Sequence, residues 1–191
     1  MERIGIFGGS FNPVHLGHLL VAQAAIEEMG LTRLCFVPVA QSPFKPDSMP
    51  ASAAERLRWL RLALAGCAWA EVDDQEIRRG GVSYTVETVL DYSRRFGGAG
   101  LFYLIGADQV AQLPKWKSAE ELARMATFVV LPRPGQVQTP LPSPFSGRWL
   151  AGLPLAVSSS QLRTRIKSGL AIRHLVPAAV AEAILNSGLY L

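Results

Sequence analysis

Cysteine is scarce in this sequence. The two present, Cys35 and Cys67, stand in the apolar contexts Leu34-Cys35-Phe36-Val37 and Ala65-Gly66-Cys67-Ala68-Trp69. Neither spacing suits a zinc site or a redox pair, so both are expected as reduced thiols in or near a core. Long apolar runs are missing as well. No stretch approaches the ~20 residues of a membrane span, and the N-terminus runs directly into Ile4-Gly5-Ile6-Phe7 without a basic segment ahead of a longer apolar one. A cytoplasmic protein with no membrane partner is therefore expected. Charge is sparse too, at 18% of residues with a formal net charge of +4. Lys and Arg are spread along the chain, with small concentrations around Lys115/Lys117 and Arg163/Arg165/Lys167. A nucleic-acid binder more often shows a clustered basic face, so a small polyanion is the better-matched partner.

Apolar residues, by contrast, are plentiful: 49% of 191. That is enough for one hydrophobic core in a single domain spanning residues 1–191. Short apolar runs predict buried strands at residues 3–7, 33–39, 71–73, 101–105, 127–131 and 154–157. Helical rhythm predicts helices at 18–29, closed by Gly30, and at 53–65, where Leu57, Leu60 and Leu64 form a stripe. Further helices are expected at 84–96, 119–125, 159–168 and 177–187, with loops at 41–50 and 132–154. Strand and helix alternate throughout. The expected fold is thus α/β, a Rossmann-like three-layer sandwich with a mostly parallel sheet, right-handed crossovers and a C-terminal helical portion. Ligands of such sheets collect at the carboxyl ends of strands. Gly8-Gly9, Gly106-Ala107-Asp108 and the serines after Val157 all fall there.

The first of these motifs carries the most chemistry. Glycines at 8 and 9 let backbone approach a ligand and present N–H groups to phosphate oxygens. Asn12 and Pro13 suit the opening of a helix, whose positive end would face the same space. His15 and His18 share a face of that helix, with no side chain at Gly17 between them. Two imidazoles there are suited to donate hydrogen bonds to an α-phosphate and to the bridging or leaving oxygens. Other phosphate and metal patterns fail. His174 is the only other histidine and no carboxylate stands in metal-ligand spacing, so no protein metal site is expected. Neither G-x-G-x-x-G nor a Gly-Lys-Ser/Thr loop follows the first strand.

The second motif is Val157-Ser158-Ser159-Ser160-Gln161-Leu162-Arg163. Its serines suit a helix cap and equally a phosphate. Arg163, about one turn on, has a planar fork for β- or γ-phosphate oxygens.

Gly5-Ile6-Phe7-Gly8-Gly9-Ser10-Phe11-Asn12-Pro13-Val14-His15-Leu16-Gly17-His18 resembles the first signature of the nucleotidyltransferase superfamily with the H-x-G-H motif. More closely, it resembles that of the bacterial nicotinate mononucleotide adenylyltransferases. The serine–arginine segment is similar to the family's I-S-S-T-x-[IL]-R, with Val157 in place of Ile and Ser160 in place of Thr. Leu104-Ile105-Gly106-Ala107-Asp108 resembles the I-G-A-D stretch beside bound adenosine. Ser83-Tyr84-Thr85-Val86-Glu87-Thr88 resembles S-Y-T-x-x-T, and Trp116 matches a tryptophan that stacks on the pyridine ring. Arg133 matches an arginine that flanks the nucleotide after the fifth strand. The resemblance covers nearly the whole chain, through Ile172-Arg173-His174-Leu175-Val176-Pro177 and Gly188-Leu189-Tyr190.

The resemblance implies ATP bound by Gly8, Gly9, Ser10, Phe11, His15, His18, Gly106, Asp108, Arg133, Ser159, Ser160 and Arg163. His15, His18 and Arg163 would be catalytic, and Mg²⁺ would be held through substrate phosphates. The acceptor, nicotinate mononucleotide, would meet Lys45, the backbone N–H groups of Tyr84 and Thr85, and Trp116. One departure stands out: Ser42-Pro43-Phe44-Lys45 occupies the place of P-P-H-K, with Phe44 where the family has histidine. Two alternatives stay open at this point. One is adenylyl transfer to another phosphomonoester, nicotinamide mononucleotide or phosphopantetheine. The other is a nucleotide-binding regulator without catalysis. The sequence leaves open whether the chain forms a homo-oligomer.

Overall fold

Among the described residues, six short strands form one sheet, and all are parallel: β1 (Arg3–Gly9), β2 (Arg33–Pro38), β3 (Ala70–Val72), β4 (Gly100–Gly106), β5 (Thr127–Leu131) and β6 (Gly147–Trp149). The structure is a computed structural model that describes residues 1–43, 51–153 and 155–190. Strand order is β3-β2-β1-β4-β5-β6, so the winding direction reverses between β1 and β4. Register places Phe7 beside Phe36 on one flank and Leu104 on the other.

Parallel strands need crossovers, and helices supply them on both faces. They are α1 (Leu16–Met29), α2 (Ala53–Ala63), α3 (Gln75–Arg79), α4 (Thr85–Arg95), α5 (Ala119–Met125), α6 (Ser159–Lys167) and α7 (Ala178–Ser187), with a 3₁₀ segment over Ala107–Lys115. Alternation along the strands splits the core in two. Phe7, Phe36 and Leu104 pack with Val21, Trp59, Leu162 and Ile184 from α1, α2, α6 and α7. Ile6, Cys35 and Ile105 face the other way, against Val89, Tyr92 and Leu122 from α4 and α5. This is the expected three-layer α/β sandwich, with α6 and α7 as its C-terminal helical portion. No helix of the described residues is long and apolar enough to cross a membrane.

Three local readings are corrected. Residues 155–158 form no strand, and Pro154 lies outside the described residues. The sixth strand is Gly147–Trp149, inside the stretch expected to be irregular, where Gly147 lets the backbone pair closely with Phe128. The buried stripe of α2 runs through Arg56, Trp59, Leu60 and Ala63, leaving Leu57 only half-buried. The short helix α3 and the 3₁₀ segment were not expected at all.

Candidate active site

The loop leaving β1 is built from close contacts that only small residues permit. A side chain at Gly8 would strike the Tyr103 hydroxyl, and a Cβ at Gly9 would sit 2.9 Å from the Phe11 ring. Phe11 itself adopts a left-handed backbone, φ 46°, and is buried. Its ring meets Phe7 edge-on at 5.4 Å and His18 at 5.1 Å, forming the wall on which the second imidazole rests. Distant parts of the chain then grip the loop by its carbonyls. Arg56 Nη1 donates to Ser10 O at 3.0 Å, Arg163 Nη1 to Asn12 O at 2.9 Å, and Ser159 Oγ to Pro13 O at 2.8 Å. The Tyr190 hydroxyl donates to Asn12 Oδ1, and Leu16 N–H donates to Leu175 O at 3.0 Å.

His15 is the N-cap of α1 and His18 lies in its first turn. Their rings stack at 3.6 Å between centroids, with 26° between planes. The His15 backbone N–H donates to His18 Nδ1 at 3.2 Å. That bond occupies the Nδ1 lone pair, so the neutral ring carries its proton on Nε2. Burial, and then the Arg133 guanidinium, push His15 down to about 4. His18 is held well below the ordinary histidine value by burial first, then by His15 and Arg133. Both rings are thus neutral near pH 7, and His18 offers an Nε2–H donor at the positive end of a helix. His15 Nδ1 is buried without a protein partner. Gly17 must stay small, because a Cβ there would lie 3.0 Å from Val157 and 3.1 Å from His15 Nδ1.

Opposite the histidines, Ser158 caps α6 by accepting from Gln161 N–H at 3.2 Å. Arg163 spans from Asn12 O to Ser160 Oγ (3.2 Å), which joins the helix start to the β1 loop. Asp108 and Arg133 pair at 3.2 Å, both well exposed. An exposed pair of this kind is worth at most about 1 kcal/mol, so a ligand parts it at little cost. Tyr84 is the N-cap of α4, and Thr85 Oγ1 donates to the Tyr103 hydroxyl at 3.2 Å. Trp116 stands edge-on to Tyr103 at 6.1 Å, and its indole N–H is buried without a partner.

One cleft of about 920 Å³ is lined by most of these groups. Gly8, Gly9, Ser10, Phe11, His15, His18, Tyr84, Thr85, Gly106, Asp108, Trp116, Arg133, Ser159, Ser160 and Arg163 all line it. Lys45, and Phe44 beside it, lie outside the described residues. The cleft opens at the β1/β4 reversal, where doubly wound sheets bind ligands. Sequence reasoning missed three contributors: Arg56, Tyr190 as a partner of Asn12, and Tyr103 as back wall. Arg56 had a legible signal, a lone cation at the spacing of Trp59, Leu60 and Ala63 on one helix face.

The cytidylyltransferase-like family matches residues 6–165, from within β1 to within α6. The chain belongs to the cytidylyltransferase-like family. Among members similar to it is a protein of Opitutus terrae described as a probable nicotinate-nucleotide adenylyltransferase. It is 39% identical over 98% of this chain and 97% of its own length. A Synechococcus protein of the same description is 40% identical over 100% of this chain and 95% of its own. A solved structure, the Plasmodium falciparum nicotinic acid mononucleotide adenylyltransferase complexed with NaAD, shares the fold. Its TM-score is 0.81 at 15% identity, covering 100% of this chain and 98% of that one. For this member of the cytidylyltransferase-like family, the likeness spans the sheet, both helical layers and the C-terminal helices.

Proposed function

We propose that this protein transfers the adenylyl group of ATP to nicotinate mononucleotide, giving nicotinate adenine dinucleotide and pyrophosphate, a cytoplasmic step of NAD biosynthesis carried out by residues 1–191 as one nucleotidyltransferase domain. The observation that carries it is the cleft itself. Stacked neutral imidazoles, the α6 N-terminus and Arg163 line it together with Tyr84, Thr85 and Trp116. Its relatives of similar length support the choice of acceptor.

A 5′-phosphate oxygen of the mononucleotide attacks the α-phosphorus of ATP. A phosphorus–oxygen bond forms there, the bond to the β-phosphate oxygen breaks, and pyrophosphate leaves with that electron pair. A phosphate monoester is already an anionic nucleophile near neutral pH, so catalysis reduces to positioning and charge stabilisation. His18 Nε2–H and the His15 ring stabilise charge growing on the α-phosphate, beside the backbone of Gly8, Gly9 and Ser10. Ser159, Ser160 and Arg163 hold the departing pyrophosphate. Asp108 and Arg133 separate to flank the nucleoside, and the first N–H groups of α4 take the nicotinate carboxylate while Trp116 meets the pyridine ring.

These groups are nearly all donors, and no cluster of three or more His, Cys, Asp or Glu placed to hold a metal occurs among the described residues. Such a donor set would fit a nucleotide that arrives with Mg²⁺, and the ion would supply charge neutralisation to the phosphates.

The test is pyrophosphate release from ATP with a panel of acceptors. Nicotinate mononucleotide is expected to give the highest kcat/KM. Higher values with nicotinamide mononucleotide or phosphopantetheine would replace the acceptor, and no release with any of them would point to a non-catalytic nucleotide binder.

A further inference from the structure

Behind the start of α4 lies a carboxylate that the reaction does not use. Glu76, on α3, is only 2% exposed. Thr88 Oγ1 donates to its Oε1 at 2.5 Å, while Oε2 is buried without a partner. Burial pushes this carboxyl above the ordinary glutamate range, and the Thr88 and Ser83 hydroxyls pull it back. A carboxylate this deep costs stability unless it organises its surroundings.

The surrounding bonds have one direction. The Ser83 hydroxyl accepts from Ala40 N–H at 2.9 Å, at the end of β2, which leaves its proton for Glu76. Thr88 Oγ1 accepts from Arg79 Nη2 at 3.5 Å, which likewise turns its proton toward Glu76. Arg79 also reaches Glu87 at 3.5 Å, and Lys117 holds the same Glu87 at 2.7 Å. Ser83 and Thr88 flank Tyr84 and Thr85 in sequence. The turn proposed to receive the acceptor therefore has Thr88 bonded to one oxygen of this buried carboxyl and the Ser83 hydroxyl beside it.

We infer that Glu76 is a positioning residue for the acceptor: it fixes the first turn of α4, so that the Tyr84 and Thr85 N–H groups face the acid of the mononucleotide. This rests on the acceptor site proposed above. The histidines and Arg163 are held by other bonds, so Glu76 acts on one substrate and leaves the other alone.

The experiment compares KM for nicotinate mononucleotide and for ATP in Glu76→Gln, Glu76→Ala and Thr88→Val, with thermal unfolding of each. Thr88→Val keeps shape and removes only the hydroxyl, so it remains informative if Glu76→Ala does not fold. Glu76→Ala and Thr88→Val are expected to raise the acceptor KM about tenfold, with KM for ATP unchanged. Glu76→Gln keeps an acceptor oxygen at the same place and is expected near wild type. A merely structural role would move both KM values together, and that result, or an unchanged acceptor KM, overturns the inference. A wild type that ignores nicotinate mononucleotide overturns the acceptor site and this inference with it.

Discussion

His18 owes its donor to a backbone amide. Because His15 N–H fills the Nδ1 lone pair, the ring presents Nε2–H without needing a second proton. Replacing His18 by Ala is therefore expected to lower kcat by ~10²–10³-fold, the usual cost of one transition-state donor, with little change in KM. Steady-state pyrophosphate release reads this directly. The same burial has a consequence for stability. His15 folds neutral, with its value lowered from 6.5 to about 4. Between those two pH values the unfolded chain binds a proton that the folded chain does not. Stability is complete above pH 6.5 and falls as pH drops toward 4, by roughly 3 kcal/mol from this group. Denaturant midpoints measured from pH 7 to 4 should show the fall, and His15→Gln should reduce it, leaving the part that buried His18 contributes.

At the scale of elements, α6 is the joint between the two sequence motifs. Its Ser159 and Arg163 both bond to carbonyls of the β1 loop, so the helix start and the histidine turn are held as one body. Lysine at 163 keeps the charge and loses the fork that joins Asn12 O to Ser160 Oγ. Arg163→Lys is expected to lower kcat/KM for ATP by ~10–10²-fold, while the fold survives by circular dichroism. The two motifs were legible in sequence, because caps, glycines and hydroxyls at strand ends are local chemistry, whereas the bonds that join them were not. What escaped was set by neighbours. Gly147-Arg148-Trp149 has no strand signature of its own and becomes β6 by pairing with Phe128, Val129 and Val130. Helix α3 is too short for a periodicity, and Pro114 obscures the 3₁₀ segment. Arg56 sits on the buried stripe of α2 and donates to Ser10 O, and its place among Trp59, Leu60 and Ala63 is the one trace of this that the sequence carries.

Across the whole molecule, the two ends of the chain meet. Tyr190, buried against Trp59, donates to the side chain of Asn12, and Leu16 bonds back to Leu175. Tyr190→Phe removes a buried hydrogen bond and is expected to cost about 1 kcal/mol of stability in thermal unfolding, with a measurable loss of kcat through the loosened loop. Alternation of strand and helix gives the parallel sheet, and the sequence motifs at strand ends mark the edge where β1 and β4 lie side by side. The cleft between them is claimed to break ATP at the α-phosphorus. ATP labelled at the α-phosphate, incubated with nicotinate mononucleotide, measures that claim most directly. The label is expected in the dinucleotide and none in pyrophosphate, whereas label in pyrophosphate, or in free AMP with no dinucleotide formed, would contradict it.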